Sequence, residues 1–143
     1  MDRALALAAA AGERGDVPVG AVVTDASGVV VAEGRNLREA TGDPTAHAEV
    51  VALREAAAAL GSWNLSGCTL VVTLEPCLMC AGALLQARIS RLVFGAWDEK
   101  AGAAGSVYDV VRDRRLPSRA EVVAGVREDE ASALLRTFFD PLR

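Results

Sequence analysis

The chain has 143 residues, 52% hydrophobic and 24% charged, with a net charge of −4. That length suits one domain over residues 1–143, able to bury about two-thirds of the surface its unfolded chain exposes, and the composition excludes disorder and fibrous repeats. The acidic balance offers no general pull on nucleic acid, although residues 86–119 hold seven basic side chains against four acidic ones, a stretch that charge alone reads as a solvated loop.

Residues 2–14 read as an alanine-rich helix. The apolar run from Ala4 to Ala11 is too short to span a bilayer and has Asp2 beside Arg3 where a basic start is expected, so it reads as a helix of the fold rather than a signal segment. A cytoplasmic location and no membrane partner are therefore expected. Val19 to Thr24 and Val29 to Glu33 are β-branched runs joined by Asp25-Ala26-Ser27-Gly28, a hairpin. Arg38 to Thr45 reads as a loop, Ala46 to Leu60 as a helix closed by Gly61, and Thr69 to Thr73 as a buried strand. Pro76 suits a helix start, with the helix over Cys77 to Ala87. Leu92 to Phe94 reads as a strand, Val107 to Val111 as a short helix, Glu121 to Ala124 as a fifth strand and Glu128 to Phe139 as a last helix. Strands alternating with helices predict an α/β sandwich with helices on both faces of a mixed sheet.

The chemistry concentrates in His47-Ala48-Glu49 and Pro76-Cys77-Leu78-Met79-Cys80. Cysteines at i and i+3 share one helix face, and a helix start favours thiolates, so Cys77 and Cys80 suit one soft cation with His47, the only histidine. Cys68, at the entry to a strand, reads as a small buried hydrophobe rather than a fourth ligand. Three protein ligands leave one position for water, the arrangement of catalytic zinc, which lowers that water's pKa to about 7. Glu49 is the candidate to move the proton. Positions i and i+2 point apart inside a helix, an objection that weakens if His47 and Glu49 occupy a first turn. Each piece alone has an ordinary structural explanation; together they match the H-x-E…P-C-x-x-C signature of zinc nucleobase deaminases.

With those residues placed, the chain closely resembles the bacterial tRNA-specific adenosine deaminases. The resemblance rests on Asp16-Val17-Pro18-Val19-Gly20-Ala21-Val22, Asp43-Pro44-Thr45-Ala46-His47-Ala48-Glu49, Val72-Thr73-Leu74-Glu75-Pro76-Cys77-Leu78-Met79-Cys80-Ala81-Gly82-Ala83, Val93-Phe94-Gly95-Ala96 and Gly102-Ala103-Ala104-Gly105-Ser106. It implies a cytidine-deaminase-like three-layer α/β/α sandwich around a five-stranded mixed sheet, and one Zn2+ per subunit of a homodimer. The implied reaction converts adenosine to inosine at the wobble position of a tRNA anticodon stem-loop, with zinc hydroxide as nucleophile and Glu49 as proton shuttle. By the same resemblance Asn36, Ala48, Asp98 and Lys100 contact substrate; for Asn36 a turn role competes, and Asp98 and Lys100 have solvated loop roles as the alternative. Phe138 and Phe139 match an aromatic pair of which at least one is expected in the core, with stacking on an unpaired base as the other role. Trp97 departs from the pattern, standing where a polar or basic residue is expected. Residues 112–119 lack the His and Asn of some members, and Asp140-Pro141-Leu142-Arg143 is not the basic tail of others, so the basic segment carries more of the attraction to RNA. A free nucleobase or nucleoside deaminase (guanine, cytosine or cytidine) with the same zinc site is the alternative, and a non-catalytic zinc-stabilised binding module a third reading.

Overall fold

A computed structural model describes residues 1–140, which leaves Pro141 to Arg143 of the expected tail outside the described residues. Five strands form one sheet in the order β2-β1-β3-β4-β5: β1 is Gly20–Thr24, β2 Val30–Arg35, β3 Thr69–Leu74, β4 Arg91–Ala96 and β5 Glu121–Val123. β1 is antiparallel to β2 and β3, while β3, β4 and β5 run parallel. Four strands thus share one direction and β1 alone opposes them. Helices α1 (Asp2–Glu13) and α5 (Glu128–Phe139) pack together on one face, and α3 (Ala48–Leu60) and α4 (Leu78–Gln86) on the other. This is the expected three-layer α/β/α sandwich around a five-stranded mixed sheet. No helix among the described residues is long and apolar enough to cross a membrane.

Local chemistry explains the elements. In the β1–β2 turn the Asp25 carboxylate accepts from the Ser27 and Val29 N–H groups at 2.9 and 3.0 Å, the self-capping that makes Asp a turn residue. β3 and β4 lie between the helix layers: Leu70, Val72, Leu92 and Phe94 fill the core with Leu65, Leu84 and Ile89 on one face, while Val71 and Val93 on the other are half-buried. α3 lies close on β2 because residue 34 is glycine: a side chain there would collide with the Ala48 carbonyl and, at 2.6 Å, with the Ala52 nitrogen. The start of α3, which carries the His47-Ala48-Glu49 motif, is thereby held against the sheet.

Three expectations fail. Residues 38–41, read as loop, form a short helix α2 (Arg38–Thr41). Its stabiliser is remote: buried Asp16 accepts from the Glu39 N–H at 2.7 Å and the Ala40 N–H at 3.2 Å, capping the turn from 23 residues away. Residues 107–111, read as a helix, are not one. The Gly102 carbonyl accepts from both Val107 and Tyr108, and Ala104 bridges Asp109, so the backbone bonds go across the loop instead of along a helix. Pro76 does not open α4. Cys77 is its N-cap, with extended backbone at φ −72°, ψ 176°, and the Pro76 carbonyl accepts from Ala103 at 2.8 Å.

Candidate metal centre and active site

All four co-directional strands end on the same side, and β1 begins there. The segments that leave those ends therefore converge: Val17 and Val19 before β1, Asn36 after β2, Glu75 after β3 and Asp98 after β4. Crevices outside the carboxyl ends of strands are where α/β sheets bind ligands. Here the N-termini of α3 and α4 also point into the crevice, adding the partial positive charge of unpaired N–H groups.

His47 and Cys77 are the N-caps of α3 and α4, and neither side chain is spent on capping. Both turn instead toward each other. His47 Nδ1 lies 3.6 Å from Cys77 Sγ and 3.4 Å from Cys80 Sγ, and the three ligand atoms lie within 4.8 Å of one another. Zinc–sulfur bonds of about 2.3 Å and zinc–nitrogen bonds of about 2.0–2.1 Å at tetrahedral angles separate N from S by about 3.5–3.6 Å. The observed spacings fit that cation, and the N/S donor set suits zinc. The Cys77 thiol is held down to about 4, mainly by the hydrogen bond from Cys80, with His47 adding to the effect. Cys80 is pushed up by that same bond and by burial. His47 is raised chiefly by its contact with Cys77.

Because His47 has extended backbone (φ −68°, ψ 152°) and lies just outside α3, the i, i+2 objection falls away. Glu49, in the first turn, comes to the same cavity as the ligand set, only 4% exposed. Burial pushes its carboxyl up to about 7, where it both accepts and releases a proton near neutral pH. The cavity lined by Asn36, His47, Ala48, Glu49, Cys77 and Asp98 holds about 180 Å³. Sites enclosing whole drug-sized ligands span roughly 300–1,000 Å³. This one is smaller than that range.

Comparison with known proteins decides the class. Residues 1–96 match the family model described as the cytidine and deoxycytidylate deaminase zinc-binding region. The chain belongs to that family. The tRNA-specific adenosine deaminase of Bacillus subtilis is 46% identical over 143 residues, covering all of this chain and 88% of that protein. A protein of Deinococcus radiodurans named tRNA(Ile)-lysidine synthase is 56% identical over 143 residues, but the chain spans only 24% of its length. A structure from studies of A-to-I editing by tRNA:A34 deaminases at the wobble position of transfer RNA superposes with a TM-score of 0.91 at 43% identity, covering 94% of this chain and 97% of that one. The deaminase is a zinc-dependent hydrolase, with His47, Cys77 and Cys80 positioned to bind the ion.

The remaining residues of the deaminase sort by position. Asn36 is buried in the cavity wall; its amide donates to the Val17 carbonyl at 3.2 Å and its oxygen accepts from the Arg38 N–H at 3.1 Å. It is thus a turn residue and a cavity residue at once. Ala48 opens α3 and lines the cavity, where its N–H has no intrahelical acceptor. Asp98 lines it too, with one oxygen accepting from the Lys100 and Ala101 N–H groups. Lys100 is exposed and faces an adjoining groove instead. Contrary to expectation, neither Phe138 nor Phe139 is core: they pack edge to face at 5.2 Å, and Phe139 is 41% exposed. In the basic segment Arg112 pairs with Asp109 and Arg115 with Asp113, each at 2.7 Å, so part of its charge is locally neutralised. Cys68 is buried, as expected, and outside the ligand set.

Sequence reasoning missed Glu75. Fully buried, it accepts from the Asp98 N–H at 3.0 Å with one oxygen and from Ala104 and Ser106 at 3.0 and 3.1 Å with the other. A Cβ at Gly102 would strike that carboxylate. Glu75 therefore ties the loop after β4 to the corner that carries Cys77. The available signal was a charged residue between the end of a buried strand and Pro76.

Proposed function

We propose that this chain deaminates adenosine to inosine at the wobble position of a tRNA anticodon stem-loop. The observation that carries the reading is a buried carboxyl, Glu49, beside a three-ligand metal constellation in a cavity sized for one base; the tRNA-acting relatives supply the substrate class. A base inside a polymer reaches such a cavity only when it leaves the stack.

When bound, zinc held by His47, Cys77 and Cys80 acidifies water toward neutral pH. Glu49 takes the proton of the attacking water and delivers it to the adenine ring nitrogen. Glu49 then takes the remaining proton from the new C6–OH and passes it to the departing amine; the C6–N bond breaks as the C6–O bond becomes a carbonyl, so that adenosine and water become inosine and ammonia. Asn36 retains one amide hydrogen and one lone pair for the nucleotide, and the Ala48 N–H, without an intrahelical acceptor at the start of α3, is a donor available to the base. Asp98 and Lys100 are assigned to the outer nucleotides; the support is that Asp98 lines both the cavity and the adjoining groove and Lys100 lines that groove.

We further infer a homodimer, supported by an apolar groove between α3 and α4 lined by Leu53, Trp63 and Leu65, and a cytoplasmic setting, supported by two ligand thiols that must stay reduced. The deciding assay offers tRNA with a wobble adenosine alongside free adenosine, cytidine and guanine. Inosine in the tRNA is expected, and its absence together with turnover of a free base or nucleoside would replace this reading with the small-substrate one.

A further inference from the structure

A second groove of about 600 Å³ adjoins the catalytic cavity, and the two share Val17, Leu74, Asp98 and Ala101 in their walls. Trp97 forms one of its sides and Leu135 and Phe139 of α5 belong to another. Trp97 is 41% exposed, a large apolar ring left in water directly beside the site. Its orientation is set from behind: it stands edge-on to Phe94 with centroids 4.9 Å apart, and a Cβ at Gly105 would meet its Cζ3 at 3.0 Å. The next residue, Asp98, is pinned through its N–H to buried Glu75 at 3.0 Å. An aromatic face held this way loses little freedom when something stacks on it.

We propose that Trp97 is a stacking platform for the base of a nucleotide adjacent to the target adenosine, and so a specificity-determining residue of this chain. The inference rests on the RNA reading above. The small cavity admits the target base alone, which sends the neighbouring nucleotides along the continuous groove. Glu99 and Glu128 line that groove with Lys100, so an anionic phosphate is disfavoured inside it while an uncharged base face is not. Base–aromatic stacking needs no particular sequence and no duplex, which fits an unpaired loop.

The test compares wild type, Trp97→Ala and Trp97→Phe on an anticodon stem-loop with adenosine at the wobble position, and on versions with an abasic residue 5′ or 3′ of it. In wild type one of the two abasic changes is expected to lower kcat/KM by about 5- to 150-fold. Trp97→Ala should lose a similar factor on the intact loop, lose nothing more on that abasic one, and Trp97→Phe should recover part of it. RNA binding should quench tryptophan fluorescence in wild type but not in Trp97→Phe, whose remaining tryptophan is Trp63. Equal losses for Trp97→Ala on intact and abasic loops, or a wild type indifferent to both abasic changes, would overturn the proposal while leaving the function standing. No inosine from wild type on the intact loop would instead sink the RNA reading and this inference with it.

Discussion

Replacing Glu75 by glutamine keeps its size and removes its charge, and the structure says what that costs. One carboxylate oxygen serves Asp98 and the other serves Ala104 and Ser106. A glutamine has one acceptor oxygen, so its best placement keeps the Ala104 and Ser106 bonds and turns an NH2 donor toward the Asp98 N–H. The orphaned donor costs about 1–3 kcal/mol, and the two surviving bonds each lose roughly 1 kcal/mol of charge assistance. The sum is about 3–5 kcal/mol, which for a chain of this size lowers Tm by roughly 10–15 °C. Thermal unfolding measures it directly, and zinc content with tRNA kinetics separates loop from metal. Zinc is expected to stay near one per chain, because no ligand moves, while kcat/KM falls as the loop bearing Trp97, Asp98 and Lys100 loosens. A Tm within about 2 °C of wild type with unaltered kinetics would show that Glu75 does not hold this loop.

Glu49→Gln should keep its zinc by metal analysis and lose about 100- to 10,000-fold in kcat, the usual contribution of general acid–base catalysis; a loss under tenfold would remove Glu49 from the chemistry. Chelation of the zinc, or Cys77→Ser, should abolish inosine formation, and added Zn2+ should restore the chelated wild type only. Gly34→Ala drives a methyl into the Ala48 and Ala52 backbone and should destabilise by about 1–3 kcal/mol, with weaker zinc retention because the start of α3 shifts; denaturant melts and metal titration report both. Asp16→Ala removes the cap of α2 and should cost about 0.5–2 kcal/mol in a denaturant melt, and an unchanged midpoint would deny it that role.

Local pattern made most elements readable. The hairpin and β3 announce themselves by β-branched runs and turn residues, β4 by a short apolar run, and α1, α3 and α5 by their length and composition, because hydrophobic period and turn chemistry act over a few residues. α2 was invisible for a different reason: four residues form a helical turn because Asp16 reaches them from a distant loop. The stretch 107–111 misled in the opposite sense, since its N–H groups and those nearby find acceptors at Gly102 and Glu75 rather than four residues back. The aromatic pair at 138–139 looked like core, yet α5 buries only Ala131 fully against the sheet.

The amino-acid order by itself determined the chemistry on offer: one imidazole, two thiols three positions apart and a carboxyl two residues from the imidazole, a donor set suited to zinc once the backbone brings it together. Whether His47 and Glu49 face one cavity was decided in three dimensions, where an extended N-cap at residue 47 precedes a helix that Gly34 lets settle on the sheet. Burial, which sets the proton affinity of Glu49, and the convergence of four strand ends with Glu75 and Trp97 beside them are properties of contacts between residues far apart in the chain. Metal preference is carried by atoms, and catalysis by the distances and dielectric that only packing supplies.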